Sequence, residues 1–534
     1  MKAKLMIAKI AICMLVATTY VNAQVNRNLY HEKHREQIHF SPSSGWMNDP
    51  NGMVYYEGEY HLFYQHYPKD NKWGPMHWGH AVSKDMIHWN NLPIALYPDS
   101  LGYIFSGSAV IDWKNTSGFA KNNRPAMVAI FTYHNAAEEK KGKKDYQSQG
   151  IAYSNDKGRT WTKFKANPVI KNPGISDFRD PKMSWDNIHN QWILALAVQD
   201  HTEFWTSKNL KNWEHASDFG KEWGAHGGVW ECPDFFPLKV DGTKETKWIL
   251  LKSINPGAIN GGSGTQYFVG DFDGKNFILD EKFKPFVRNN EAVWLDYGRD
   301  NYAGVTWSDI PAKDGRRLFI GWMSNWQYAQ NVPTAEWRST STLPRELVLK
   351  STEAGYRLFT NPVKETALLK EKGDVHKLLT LQEQTLEGAL DLTPKPGFTP
   401  TLSELNLSFE LPEASQNTKF RVELSNDKGE SYSVGYDAAA NHFFSDRTQS
   451  GDLSFSDRFA AKVHPAPRTS RNKTIEMRLF FDVASSELFA DKGETVITDI
   501  FFPTTDFTHL KLIAEGGKVI LKKGSVQQLK SIWK

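Results

Sequence analysis

The chain has 534 residues, with 64 Lys and Arg against 61 Asp and Glu, two cysteines, and 19 Trp, 19 Tyr and 31 Phe. A formal charge of +3 offers no basic surplus for nucleic acid or an anionic membrane surface, and a chain this long can bury a core without disulfide staples. The aromatic load suits protein cores and sugar faces alike, so composition alone leaves those two uses undecided.

Lys2, Lys4 and Lys9 precede an apolar run from Ile10 to Ala17 and then Val21-Asn22-Ala23, the pattern of a secretory signal peptide over residues 1–23. The run is too short to span a bilayer, and no later stretch reaches about 18 uninterrupted apolar residues, so no membrane span is expected. Ile12 stands before Cys13 where a lipid anchor needs a small residue. Loss of the leader removes three lysines and no acid, taking the charge from +3 to 0, and leaves Cys232 alone. The reading is of an exported protein, periplasmic or extracellular, without an intrachain disulfide.

Next comes Trp46-Met47-Asn48-Asp49-Pro50-Asn51-Gly52. Pro50 pushes Asp49 out of the helical region and so aims its carboxylate. Asn51-Gly52 and Glu57-Gly58-Glu59 are turn signals around an aromatic hairpin, which puts Asp49 at a strand end. From residue 40 to about 350 short alternating strands follow one another, with a loose repeat at their turns: Ser83 to Trp89, Ser154 to Trp161, Ser207 to Trp213, and Gly270 to Phe277. Thr306-Trp307-Ser308-Asp309 begins a fifth unit. Four-stranded units about 50 residues apart predict a five-bladed β-propeller. A Lys- and Glu-rich connector is expected at about 350–370. Alternation then resumes in Leu405 to Leu411, Phe420 to Leu424, Tyr432 to Tyr436, Ile475 to Phe481 and Leu510 to Ala514, a separate β-sandwich. The expected organisation is all-β: residues 24–355 the propeller, 356–534 the linker and C-terminal sandwich.

Three acids open strands after loops: Asp49, Asp180 in Phe178-Arg179-Asp180-Pro181, and Glu231 in Trp230-Glu231-Cys232-Pro233-Asp234. In a propeller the innermost strands start at one mouth of the channel, so acids distant in sequence can meet there. Glycoside cleavage needs one neutral and one ionised carboxyl group. Glu231 has apolar sequence neighbours and is read as the proton donor, and Asp49 as the nucleophile. Asp180, beside Arg179, is expected to stay ionised and to bind or stabilise. Cys232 reads as a small buried hydrophobe. His61, His66, His77, His80 and His88 lack metal-ligand spacing and read as hydrogen-bonded structural residues, so no metal and no cofactor is expected.

These motifs, with Trp73-Gly74-Pro75-Met76-His77-Trp78-Gly79-His80, Phe105-Ser106-Gly107-Ser108 and Gly321-Trp322-Met323-Ser324-Asn325-Trp326, closely resemble glycoside hydrolase family thirty-two, the β-fructofuranosidases that include invertases, inulinases and levanases. Asp482 to Gly493 resembles that family's C-terminal sandwich. The resemblance implies a retaining mechanism with Asp49 as nucleophile, Glu231 as acid/base and Asp180 as transition-state stabiliser. It also implies a fructosyl pocket lined by Trp46, Asn48, Gln65, Trp73, Phe105, Ser106, Arg179 and Trp326. Trp294 to Ala303 and Glu336 to Leu347 look more like the exo-acting levanase and inulinase branch, so fructan or sucrose is the expected substrate. Three alternatives remain: an endo-acting member, an arabinan-degrading five-bladed enzyme, and a non-catalytic carbohydrate-binding propeller, since Ser154 to Trp161 also resembles the Asp-box turn of sialidases.

Overall fold

The computed structural model describes residues 29–370, 378–393, 398–413 and 415–533; the leader read at residues 1–23 lies outside them. Each polar turn of the repeat closes the outer hairpin of a four-stranded antiparallel blade. Blade one comprises β1 (Gly45–Tyr56), β2 (Glu59–Tyr67), β3 (His77–Ser83) and β4 (Trp89–Leu96). Blade two comprises β5 (Tyr103–Ile111), β6 (Met127–His134), β7 (Gln147–Ser154) and β8 (Thr162–Lys163). Blade three comprises β9 (Phe178–Asp186), β10 (Gln191–Val198), β11 (His201–Ser207) and β12 (Glu214–Phe219). Blade four comprises β13 (Val229–Lys239), β14 (Thr246–Asn255), β15 (Gly264–Phe272) and β16 (Phe277–Leu279). Blade five is built on β17 (Tyr302–Thr306) and β18 (Arg317–Met323), followed by the short β19 (Trp337–Arg338) and β20 (Thr340–Ser341), then β21 (Arg345–Thr352) and β22 (Gly355–Pro362).

Three of the repeat turns share one hydrogen-bond scheme. Ser83, Ser154 and Ser207 each accept, on the hydroxyl, the backbone N–H of Met86, Gly158 and Leu210 at 2.7, 2.8 and 2.9 Å. Those acceptor-turn residues have φ of 65°, 73° and 61°, and their carbonyls receive the indole N–H of Trp89, Trp161 and Trp213, each at 3.0 Å. The Trp closing each repeat thus pins the turn that precedes it.

The ring closes through blade five. β19 pairs parallel to β1 (Gly45 with Trp337, Trp46 with Arg338), and Ser308 exchanges backbone bonds with Met53 and Tyr55. The expected connector at 350–370 is corrected here: it begins inside the β21–β22 hairpin, and the blade runs to Pro362. Leu347 and Leu349 bury one face of β21, while Glu346, Val348 and Lys350 are half-buried on the other, and this mixed strand is why the composition looks like a linker.

Among the described residues, eleven strands form the C-terminal unit, organised on the twenty-residue strand His509–Gln528. Leu405, Phe420, Val434, Leu479, Leu512 and Leu521 lie in its core. A buried ionic network joins it to the propeller. His39 lies 2.8 Å from both Asp482 and Glu487, and Arg345 of β21 bridges Asp296, at 2.9 Å, and Glu487. No helix among the described residues is long and apolar enough to cross a membrane.

Candidate active site

The innermost strands β1, β5, β9, β13 and β17 each carry a β-bulge near the start, between Met47 and Pro50, Ile104 and Gly107, Arg179 and Lys182, Glu231 and Asp234, and Tyr302 and Val305. A bulge breaks the ladder and re-aims a side chain. Here the re-aimed positions are Asp49, Ser106, Asp180, Glu231 and Tyr302. Asp180, Cys232 and Ala303 are held at φ of 62°, 42° and 53°, a left-handed conformation that costs about 1–3 kcal/mol outside glycine and clusters at functional sites.

A cavity of about 280 Å³ opens at this mouth, lined by Asp49, Asp180 and Glu231 together with Asn48, Gln65, Trp73, Phe105, Ser106, Arg179 and Trp326. Asp49 receives Asn48 Nδ2 on Oδ1 at 2.9 Å and the Ser106 hydroxyl on Oδ2 at 2.6 Å. The Cys232 thiol lies 3.4 Å from Asp49 Oδ2 and 3.6 Å from Asp180 Oδ2, and its backbone N–H donates to Asp180 at 3.1 Å. Arg179 donates to Glu231 Oε1 at 2.9 Å, and the Tyr302 hydroxyl donates to Oε2. Gln65 is buried at the cavity wall, and its amide donor Nε2 has no hydrogen-bond partner among the described residues. Burial raises the Asp49 carboxyl above the ordinary range, with the Ser106 bond opposing and Glu231 adding to the rise. Asp180 is pushed up to about 7, first by burial and then by Glu231 and Asp49, against the pull of Arg179.

Ten of the eleven residues expected at the site line this cavity. Trp46 does not: it is fully buried behind the wall, donates to Asn48 Oδ1 at 2.6 Å and stacks under Trp326 at 5.8 Å. It therefore supports two lining residues rather than facing the cavity itself. Two electrostatic expectations are also corrected. Trp230 turns into the core, so Glu231 is met by Arg179 and Tyr302 rather than by apolar groups. Arg179 turns to Asp177 and Glu231 and leaves only its Nε 3.9 Å from Asp180. Cys232 is buried as expected, but its thiol donates to carboxylates. Burial and the nearby acids hold it far above the usual thiol range, so it stays protonated.

Sequence reasoning gave no role to Tyr302, Asp177 or the lining residues Gln147 and Asn255. Asn301-Tyr302-Ala303 was legible only as a likeness, since nothing in an apolar strand announces a hydroxyl aimed at an acid. The five histidines behave as expected where bonded: His61 to His80 at 3.0 Å, His66 to Trp46 O, His77 to Pro75 O and His88 to Asp85.

A propeller mouth with three converging carboxylates and a wall of amides and indoles defines a glycoside hydrolase. The chain matches the description "Glycosyl hydrolases family 32 N-terminal domain" over residues 39–362 and "Glycosyl hydrolases family 32 C terminal" over 367–530. It belongs to glycosyl hydrolase family 32. It is 45% identical over 534 residues to a levanase of Bacillus subtilis, covering 100% of this chain and 76% of that one. It is 38% identical over 526 residues to an extracellular exo-inulinase of Aspergillus ficuum, covering 94% and 96%. Its fold is similar to the crystal structure of exo-inulinase from Aspergillus awamori, with a TM-score of 0.86 and 36% identity over 94% of this chain and 100% of that one.

Proposed function

We propose that the protein is an exo-acting, retaining β-fructosidase that removes terminal β-D-fructofuranosyl units from levan, inulin and sucrose. The observation that carries the reading is Asp49 and Glu231 on inner strands of different blades, at the floor of one cavity near the lower limit for a small-molecule site. Asp49 attacks the anomeric carbon as the glycosidic bond breaks, and Glu231 gives its proton to the leaving oxygen. Water then enters, Glu231 takes its proton, and the bond to Asp49 breaks to release fructose.

Asn48, Ser106 and Cys232 orient the nucleophile through the bonds described above. Glu231 is the more exposed acid, with 18% of its side chain accessible against 6% for Asp180, which suits the group that meets the leaving oxygen. Asp180 accepts hydrogen bonds from ring hydroxyls that tighten as positive charge develops. The unpartnered Gln65 amide offers a donor to a sugar hydroxyl, and Trp73, Phe105 and Trp326 wall its CH faces. The names of the relatives support fructans as substrates, and the leader-like residues 1–23 support export. The catalytic unit is the propeller, read from residue 24 and extended to Pro362 by the outer hairpin of blade five.

Chromatography of early products from levan, inulin and sucrose tests the reading. Fructose alone should appear from the polymers; fructo-oligosaccharides without free fructose would overturn exo attack. Asp49→Asn and Glu231→Gln should each lower kcat by about 10³-fold or more with the fold intact. Either variant holding a tenth of wild-type turnover would remove its assigned role.

A further inference from the structure

Lys252 lies on β14, beside the strand that carries Glu231. Glu231 pairs with Ser253 and Asp234 with Leu251, so Lys252 falls opposite the bulge at Cys232 and Pro233. It is fully buried, and its Nζ has no hydrogen-bond partner among the described residues. The amine sits 5.8 Å from the centre of the Trp230 ring. An unpaired ammonium in a dry interior is costly and is tolerated where other charges compensate it. Its charge is favoured by Asp180 first and then by Glu231, is opposed by Arg179, and from blade three acts on His201.

The neighbouring cations are already committed: Arg179 is shared between Asp177 and Glu231, and Lys182 is held by Thr306 O at 2.6 Å and Asp234 at 3.3 Å. Among the described residues Asp180 has no cation closer than the 3.9 Å contact to Arg179 Nε, yet its assigned role requires an anion. We propose that Lys252 is a positioning residue of this reaction: its ammonium, buried behind the Cys232 bulge, is the counter-charge that keeps Asp180 ionised while the fructosyl unit becomes cationic. This rests on the carboxylate roles given above. Burial lowers the Lys252 amine to about 7, with Asp180 and Glu231 resisting, while Asp180 is raised to about 7. Around that pH each charge favours the other, so the charged amine eases ionisation of Asp180.

The test is kcat/KM against pH on sucrose for wild type, Lys252→Met and Lys252→Arg, with melting temperatures for each. Removing the cation should move the acidic limb of Lys252→Met up by about one pH unit, because a nearby opposite charge favours the ionised acid. Lys252→Arg should restore the wild-type limb. A folded Lys252→Met with both limbs unmoved overturns the proposal. Should Lys252→Met fail to fold, wild type carrying 13Cε-lysine decides by NMR. The Lys252 amine should be protonated at the pH of maximal activity, and its titration should move to lower pH in Asp180→Asn. An amine neutral at that pH, or one indifferent to Asp180→Asn, overturns it. Residual turnover in Asp49→Asn or Glu231→Gln would instead fault the roles, a separate readout.

Discussion

Arg179 and the Tyr302 hydroxyl each donate to one oxygen of Glu231, so neither can be lost without loosening the orientation of that carboxyl. Tyr302→Phe should therefore lower kcat by more than it changes KM, with the melting temperature nearly kept. A kcat equal to wild type would show that Tyr302 serves packing alone. At this scale the sequence was legible wherever a motif placed an acid before a proline or beside an arginine. It was misleading wherever contacts were inferred from adjacency: Trp230 faces away from Glu231 along the strand, and Arg179, though it shares the cavity with Asp180, gives its donors to Asp177 and Glu231. Trp46 was readable as part of the motif but not as its buried support, since burial is decided by Trp322 and Trp326, nearly 300 residues away.

Among the elements, the turns and the bulges differ sharply in what composition discloses. The Ser-to-Trp turns are spelled out by their own side chains, so the blades could be counted from them. The inner-strand bulges are not, since an extra residue becomes visible only against the partner strand. Gly107 shows what such a bulge demands: a Cβ there would lie 2.0 Å from the Ile130 carbonyl oxygen. Gly107→Ala must push β5 away from β6 and carry Ser106 off Asp49. The expected outcome is a stability loss of about 1–3 kcal/mol by denaturant titration, together with a fall in kcat larger than the change in KM. The β21–β22 hairpin was hidden for a different reason: β21 alternates buried and half-buried positions, and its polar residues read as a connector.

For the whole molecule, the junction between propeller and sandwich combines apolar clusters with a fully buried ionic network. Burial opposes charge on His39, but its bonds to Asp482 and Glu487 prevail and push it up to about 10. A group raised in this way contributes stability that is fully present below about 6.5, its unfolded value, and is lost as pH climbs toward 10. The melting temperature of wild type should therefore decline between those limits, and that decline should flatten in His39→Asn. That variant leaves Asp482 and Glu487 without the cation between them, which costs about 3–5 kcal/mol. A slope unchanged by the substitution would place the pH sensitivity elsewhere.

Ring closure adds an asymmetry. Among the described residues, β1 is the innermost strand gripped along both edges, by β2 and by β19, whereas the other four leave one edge unpaired. The strand that carries Asp49 is thus also the fastener of the circle, held on its far side by two residue pairs. Warming should slip that fastener before the blades themselves melt. Catalysis would then fail early, with half-inactivation falling at a lower temperature than the midpoint of tryptophan-emission unfolding. Trp337→Ala, which loosens the clasp without touching the cavity, should widen the gap.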